Sequence, residues 1–201
     1  MISGMAEELD VDLIRRVAAR DREAFEALYL RHAPRIRRYL LRVLRRPDLA
    51  EEALDDVMLV VWQSAERFDG TSRLTTWMLG IAHNKALKAS ARGGAARRAE
   101  QPLEDAPVAA MEDQGEGPEA SVLRREIGGA LHRALADLPP EQRAVVELTF
   151  GQGMGYGEIA TIVGCPVNTV KSRMFHARRR LAGLLGSLGF GRKPRPSEAS
   201  L

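Results

Sequence analysis

A chain of 201 residues with 45% hydrophobic side chains carries enough apolar surface for one ordinary domain or two small ones, which excludes a wholly disordered polymer. Aromatic residues make up only 5%, so any core is aliphatic, and the wealth of Leu, Ala, Arg and Glu favours helices. The net charge of +3 is unevenly spread: residues 1–92 hold 16 basic and 14 acidic side chains, residues 93–120 hold 2 and 7, and residues 121–201 hold 12 and 6, which makes the basic end the candidate polyanion binder.

Leu9, Leu13, Ile14 and Val17 fall at helical spacing and give a first helix. Asp21 is the expected N-cap of the next, whose apolar stripe runs through Phe25, Leu28, Tyr29, Ile36 and Leu40 to about Arg45, with Pro34 a possible kink. Pro47-Asp48 makes a turn, and Asp48 with Glu51 resembles a capping box. Leu54, Val57 and Val60 or Val61 carry a third helix to about Arg67. Phe68-Asp69-Gly70-Thr71-Ser72 reads as a loop. A fourth helix follows, with Leu74, Trp77, Met78, Ile81 and Leu87, and Gly93-Gly94 is expected to stop it. No stretch alternates with period two as a strand would.

Residues 93–120 are Pro-, Gly- and acid-containing with no apolar period, and read as a flexible linker able to reach roughly 90–100 Å when fully extended. Helical spacing resumes at Ser121. Leu138-Pro139-Pro140 interrupts it, and Glu141–Phe150 reads as a further helix. A glycine-rich corner, Gly151–Gly155, leads into two short helices at about 156–163 and 167–185. Residues 188–201 read as a disordered basic tail. The expected fold is all-α: a four-helix domain over 1–92, the linker, and a second helical domain over 121–187.

Cys165 is the single cysteine, so neither an intramolecular disulfide nor a cysteine-built zinc cluster is available, which fits a reducing compartment. The N-terminus lacks the basic and apolar regions of a signal peptide, and the longest apolar runs fall far short of the roughly 20 residues that span a bilayer; the expected location is the cytoplasm, with no membrane insertion.

The segment 156–181 reads as helix, turn, helix. Ile159, Ala160 and Val163 face inward on the first helix, Gly164 ends it, and Pro166 suits the start of the second. Val170, Met174, Ala177 and Leu181 form the inner face of the second, leaving Asn168, Thr169, Lys171, Ser172, Phe175, His176 and Arg179 outward. These are the hydrogen-bonding and stacking types that a DNA major groove requires, with Arg178, Arg179 and Arg180 in reach of phosphates. A basic surface helix compensating its own dipole is the alternative.

Several stretches together resemble the extracytoplasmic-function class of bacterial RNA polymerase sigma factors. LADLPPEQRAVVELTF and GYGEIATIVGCPVNTVKSRMFHARRRL are similar to that family's −35-reading domain. DREAFEALYLRH, DLAEEALDDVMLVVW and FDGTSRLTTWMLGIAHNKAL are similar to the domain that binds the polymerase clamp and melts the −10 element. The resemblance implies a promoter-specificity subunit with no catalytic site and no cofactor. Its expected partners are core RNA polymerase, through the clamp coiled coil, promoter DNA, and an anti-sigma factor.

On the same resemblance, Thr71 and Ser72 hold a flipped −10 base, Trp77 stacks on or separates bases, and Asn84 faces the −10 element. Arg73, Lys85, Lys88 and Arg92 pair with phosphates of the opened strand. Glu51, Glu52, Asp55 and Asp56 face the clamp. Each has an ordinary alternative: a plain interhelical turn, a core tryptophan, solvated charge. Four positions depart from the family's habit: His83 for a common Arg, Lys88 for Asp, Asp55 for Gln, and Asn168 for Gly. A free-standing helix-turn-helix regulator explains only residues 121–201, and no metal set, phosphate loop or activated nucleophile speaks for an enzyme.

Overall fold

The computed structural model describes residues 2–96, 128–131 and 133–187, and among these it is helical with no strand. Most of the expected linker, residues 121–127 and the tail 188–201 lie outside the described residues. Helix α1 spans Ile2–Ala18 and α2 Arg22–Leu44, continuous through Pro34. Asp21 caps α2 as expected, its Oδ1 accepting from the Ala24 amide at 3.1 Å, while its other oxygen holds Arg16 at 2.7 Å. Arg45 closes α2 in the left-handed region, φ 57°.

Helix α3 spans Pro47–Ser64 and runs into a 3-10 turn at Ala65–Arg67. The expected capping box at Asp48 and Glu51 does not form. The helix starts earlier, with Arg46 as N-cap and Pro47 in the first turn, so Asp48 lies inside the helix and not at the cap position that a box requires. Asp48 instead pairs with Arg46, and Glu51 accepts from Arg37 of α2 at 2.6 Å. Helix α4 spans Leu74–Ala96 and so passes Gly93-Gly94, where the sequence predicts its end. Glycine costs a helix about 1 kcal/mol without forbidding it.

Residues 128–131 and 133–136 form α5, and Pro140–Val146 form α6. The helix expected over Glu141–Phe150 is α-helical only to Val146; it widens into a π turn, Glu147–Gly151, closed by the Gln152 amide on the Glu147 carbonyl at 3.0 Å. Helix α7 spans Tyr156–Val163 and α8 Val167–Ser187. Gly164 ends α7 at φ 64°, the left-handed cap its position calls for. The Pro166 carbonyl then accepts from the amides of Thr169 and Val170 to start α8. On α7 the fully buried pair is Ile159 and Ile162, with Ala160 and Val163 only half-buried.

Leu28, Tyr39, Leu40, Val57, Met78 and Leu79 are sealed among α1–α4, and Leu148, Ile159, Val170 and Met174 among α6–α8, yet they belong to one connected core. The two halves are therefore docked. Helix α7 lies on α4, where a Cβ added at Gly80 would stand 3.9 Å from the Ile162 carbonyl. Arg35 of α2 donates through Nε and Nη2 to Gln152 Oε1 and its carbonyl, both at 2.8 Å. Arg143 of α6 donates to the Val43 carbonyl of α2 at 2.8 Å and to the carbonyls of Leu135, Ala136 and Leu138.

Candidate nucleic-acid and polymerase interface

Helix α8 sets its two faces as the spacing predicts. Val170, Met174 and Ala177 are buried and Leu181 is half-buried; Asn168, Lys171, Ser172, Phe175, His176 and Arg179 are exposed, with Thr169 partly so. Among the described residues, no carboxylate pairs with Lys171, Arg178, Arg179 or Arg180, whereas Arg16, Arg31, Arg37, Arg46 and Arg73 of the N-terminal half all hold one. Unneutralised cations beside hydrogen-bonding side chains on one helix face suit a polyanion with readable edges. Phe175 meets His176 edge-on at 5.5 Å between ring centroids, so this part of the face presents aromatic surface.

The 68–74 loop is organised by Asp69. Its Oδ1 accepts from the Thr71 amide at 3.0 Å and the Thr71 hydroxyl at 2.7 Å, and these donors hold its carboxyl below the usual range. Thr71 is exposed but its hydroxyl is engaged, leaving Ser72 the looser donor. Trp77 is half-buried, its ring 5.6 Å from that of Phe68. Arg73 pairs with Glu7 of α1 at 2.8 Å. Asn84 and Lys88 are exposed on α4. Lys85 is not free: its ammonium is 2.9 Å from Asp56 of α3, so a residue expected on DNA and one expected on polymerase hold each other.

His83 differs most from an exposed phosphate contact. It is 2% exposed, bonds the Tyr39 hydroxyl through Nδ1 at 2.9 Å, and its pKa is pushed down to about 4 by burial with help from Arg173 of α8. It is a neutral core histidine beneath the docked C-terminal half.

On α3, Glu51 and Asp56 are paired and Glu52 sits 3.9 Å from Arg92, which leaves Asp55 the acid with the fewest ties. Beside it an open groove between α2 and α3 is lined by Phe25, Tyr29, Met58, Leu59 and Trp62. Leu59 is 51% exposed. Phe25 meets Trp62 edge-on at 5.2 Å, and Arg20 both stacks on Trp62 and donates to its carbonyl at 2.6 Å. The acids are legible in the sequence and this apolar floor is not, although Leu59 and Trp62 fall off the buried stripe of α3 and signal it.

A second cluster escaped the sequence reading. Asp10 of α1 accepts from Arg31 at 2.7 Å and His32 at 3.1 Å, with Asp10 and His32 buried; burial lowers the pKa of His32. It ties α1 to α2. No group of three potential ligands suited to a metal ion occurs among the described residues.

Known proteins match both halves. The Sigma-70 region 2 family matches residues 28–95, and the Sigma-70 region 4 family matches residues 128–181. The RNA polymerase sigma-H factor of Pseudomonas aeruginosa is 31% identical over 182 residues, covering 88% of this chain and 94% of its own. The ECF RNA polymerase sigma factor SigM of Mycobacterium tuberculosis is 36% identical over 189 residues, covering 94% and 90%.

The chain belongs to the ECF RNA polymerase sigma factors.

It is thus an alternative sigma factor directing transcription initiation. Two solved structures share its fold. CnrH, solved with the cytosolic domain of CnrY, aligns with TM-score 0.64 at 22% identity over 89% of this chain and 98% of its own. The sigma factor RpoE of Bartonella quintana, solved with the anti-sigma factor NepR, aligns with TM-score 0.63 at 24% identity over 81% and 96%. Among the described residues, no helix of this sigma factor is long and apolar enough to cross a membrane.

Proposed function

We propose that this sigma factor docks on core RNA polymerase through the α2–α3 groove and Asp55, reads a −35 element with the outer face of α8, and opens and holds a −10 element with the 68–74 loop and the exposed residues of α4. The single observation that carries the reading is α8, where Lys171, Phe175, His176 and Arg179 are all exposed and no described carboxylate neutralises the cations. The polymerase performs the chemistry, and this subunit supplies no catalytic group.

Promoter reading requires the docked halves to part. Elements named −35 and −10 lie about 25 base pairs apart, roughly 85 Å along a duplex at about 3.4 Å per step. A compact body of 201 residues has a radius of gyration of only about 16 Å. The chain between Ala96 and Gly128 has a contour of about 100 Å, long enough for both sites to be held at once. Once both modules sit on one polymerase, the effective concentration of each at its DNA element rises, so neither has to bind tightly alone. The docked arrangement is the form an anti-sigma partner would hold; RpoE of Bartonella quintana, which shares the fold, was solved with the anti-sigma factor NepR.

The test is run-off transcription by core polymerase plus this protein on a randomised promoter library. Enrichment of two short elements at a fixed spacing is the expected outcome. Absence of any promoter-dependent transcript, together with absence of core binding, sinks the reading. Tight binding of the free protein to a palindromic site would favour a self-standing regulator instead.

A further inference from the structure

Phe150 is a large aromatic side chain at 67% exposure, on the π turn Glu147–Gly151 that ends α6. A single exposed apolar residue carries no message by its exposure alone. Its setting does. The Arg178 guanidinium of α8 lies over the Phe150 ring at 5.9 Å from the centroid, within the range where a cation is attracted to the ring face. Arg178 has no carboxylate partner among the described residues, so this ring is the contact that orients it.

The π turn explains how the ring reaches that place. Leu148 points into the core, fully buried, and the Thr149 hydroxyl turns back onto the Val145 carbonyl at 2.8 Å. The wide turn then closes through the Gln152 amide, and Phe150 is carried outward beside α8 instead of into the interior. Along α8, Lys171, Phe175 and Arg178 stand at i, i+4 and i+7, one row down the flank of the outer face. Phe150 sits alongside the last member of that row. A recognition helix in a major groove has its central face toward base edges and its flanks toward the phosphates of the groove walls.

We propose that Phe150 is a positioning residue for DNA: its ring fixes the plane of the Arg178 guanidinium so that the free N–H edge meets a backbone phosphate beside the −35 element. A planar guanidinium drawn to a ring face at this distance still has N–H donors available, in a fork that a lysine ammonium in the same place would not match. The rotamer freedom of Arg178 is reduced before binding, so less is lost when the phosphate arrives. The inference rests on the reading of α8 as a −35-binding helix.

The experiment uses the full chain assembled with core polymerase and a duplex promoter selected with the unaltered protein, and measures promoter affinity across a salt series. F150A is expected to weaken binding about two- to fivefold, the scale of one cation–π contact. R178A is expected to reduce the log–log salt slope by about one, as the loss of a phosphate contact should. The double variant F150A/R178A is expected to bind no worse than R178A, because the ring acts through the arginine. F150W should restore what F150A loses, and R178K should behave like R178A in affinity despite its charge.

Additive losses in the double variant overturn the proposal, as does an F150A effect in an R178A background. So does R178A with a phosphate-contact signature and F150A with none. If F150A lowers affinity for core polymerase while the promoter salt slope is kept, Phe150 is a protein contact and the proposal fails. If Lys171→Ala and R178A are both silent, the reading of α8 itself has failed, an outcome distinct from the others. Phe150 is solvent-facing, so F150A should fold, and unchanged thermal unfolding checks that.

Discussion

Lys171 and His176 are exposed on the outer face of α8, His176 touching only its exposed neighbour Phe175 among the ring contacts, so whatever they do is done outward. Substituting either by Ala leaves the buried row Val170, Met174 and Ala177 intact and should not alter stability by more than about 0.5 kcal/mol. The expected loss is about 1–3 kcal/mol in −35-dependent initiation for a residue that touches a base edge, read as relaxed discrimination at one promoter position. Unchanged discrimination in both variants means the outer face has been assigned to the wrong residues. Arg143 presents the opposite case. Burial lowers its pKa to about 10, and its guanidinium joins the Leu135, Ala136 and Leu138 carbonyls to the Val43 carbonyl of α2. Arg143→Ala leaves buried acceptors unpaired and should cost about 2–4 kcal/mol by chemical denaturation, with no specific effect on promoter choice.

The π turn Glu147–Gly151 gives the element scale its own test. Burial pushes the Glu147 carboxyl up to about 7, against the opposing pull of Arg42, a bond to Gln152, and Arg38. Between about pH 4.5 and 7 the folded chain keeps a proton that the unfolded chain has released, so this group makes stability fall as pH rises through that window. His83 acts with the opposite sign. Its folded pKa is near 4 against an ordinary 6.5, so the unfolded chain binds the extra proton, and stability is lost as pH falls across that range. Glu147→Gln removes the first effect and keeps the second. The variant should be more stable than the unaltered chain at pH 8 by roughly 2–3 kcal/mol, and its stability should rise from pH 4 to 6.5. Urea unfolding at several pH values reads both, and a variant whose profile parallels the unaltered chain would place Glu147 in solvent.

What the sequence made legible at this scale follows from local rules. Asp21 caps α2, Gly164 ends α7 and Pro166 starts α8 because caps and left-handed ends depend on neighbours a few residues away. The π turn was not legible, since Val145 to Phe150 keeps a helix-like pattern and the widening is imposed by packing of Leu148 and by Arg35 holding Gln152. Charge partners were not legible either. Asp56 with Lys85 and Glu51 with Arg37 are pairs between helices, and composition does not say which helices touch.

The whole molecule is two helical halves sharing one core, and Gly80 in the middle of α4 lies at the joint with α7. With no side chain there, α7 lies close: an added Cβ makes an ordinary contact with the Ile162 carbonyl at 3.9 Å. Gly80→Ala should therefore be accepted, and it removes a helix penalty of about 1 kcal/mol. Gly80→Leu adds three further carbons to a Cβ that already touches the Ile162 carbonyl at 3.9 Å, and is expected to lift α7 off α4. Arg35→Ala removes the two bonds to Gln152 and should act in the same direction. The measurement is the radius of gyration by small-angle X-ray scattering. The unaltered chain and Gly80→Ala are expected to share a compact value, and Gly80→Leu with Arg35→Ala to give a larger one. Transcription with core polymerase should survive in the opened double variant, since reading two distant elements already demands separation. Equal radii in all three proteins would show that α4 and α7 do not form the joint, and an opened variant unable to initiate would show that the joint itself is used on the promoter.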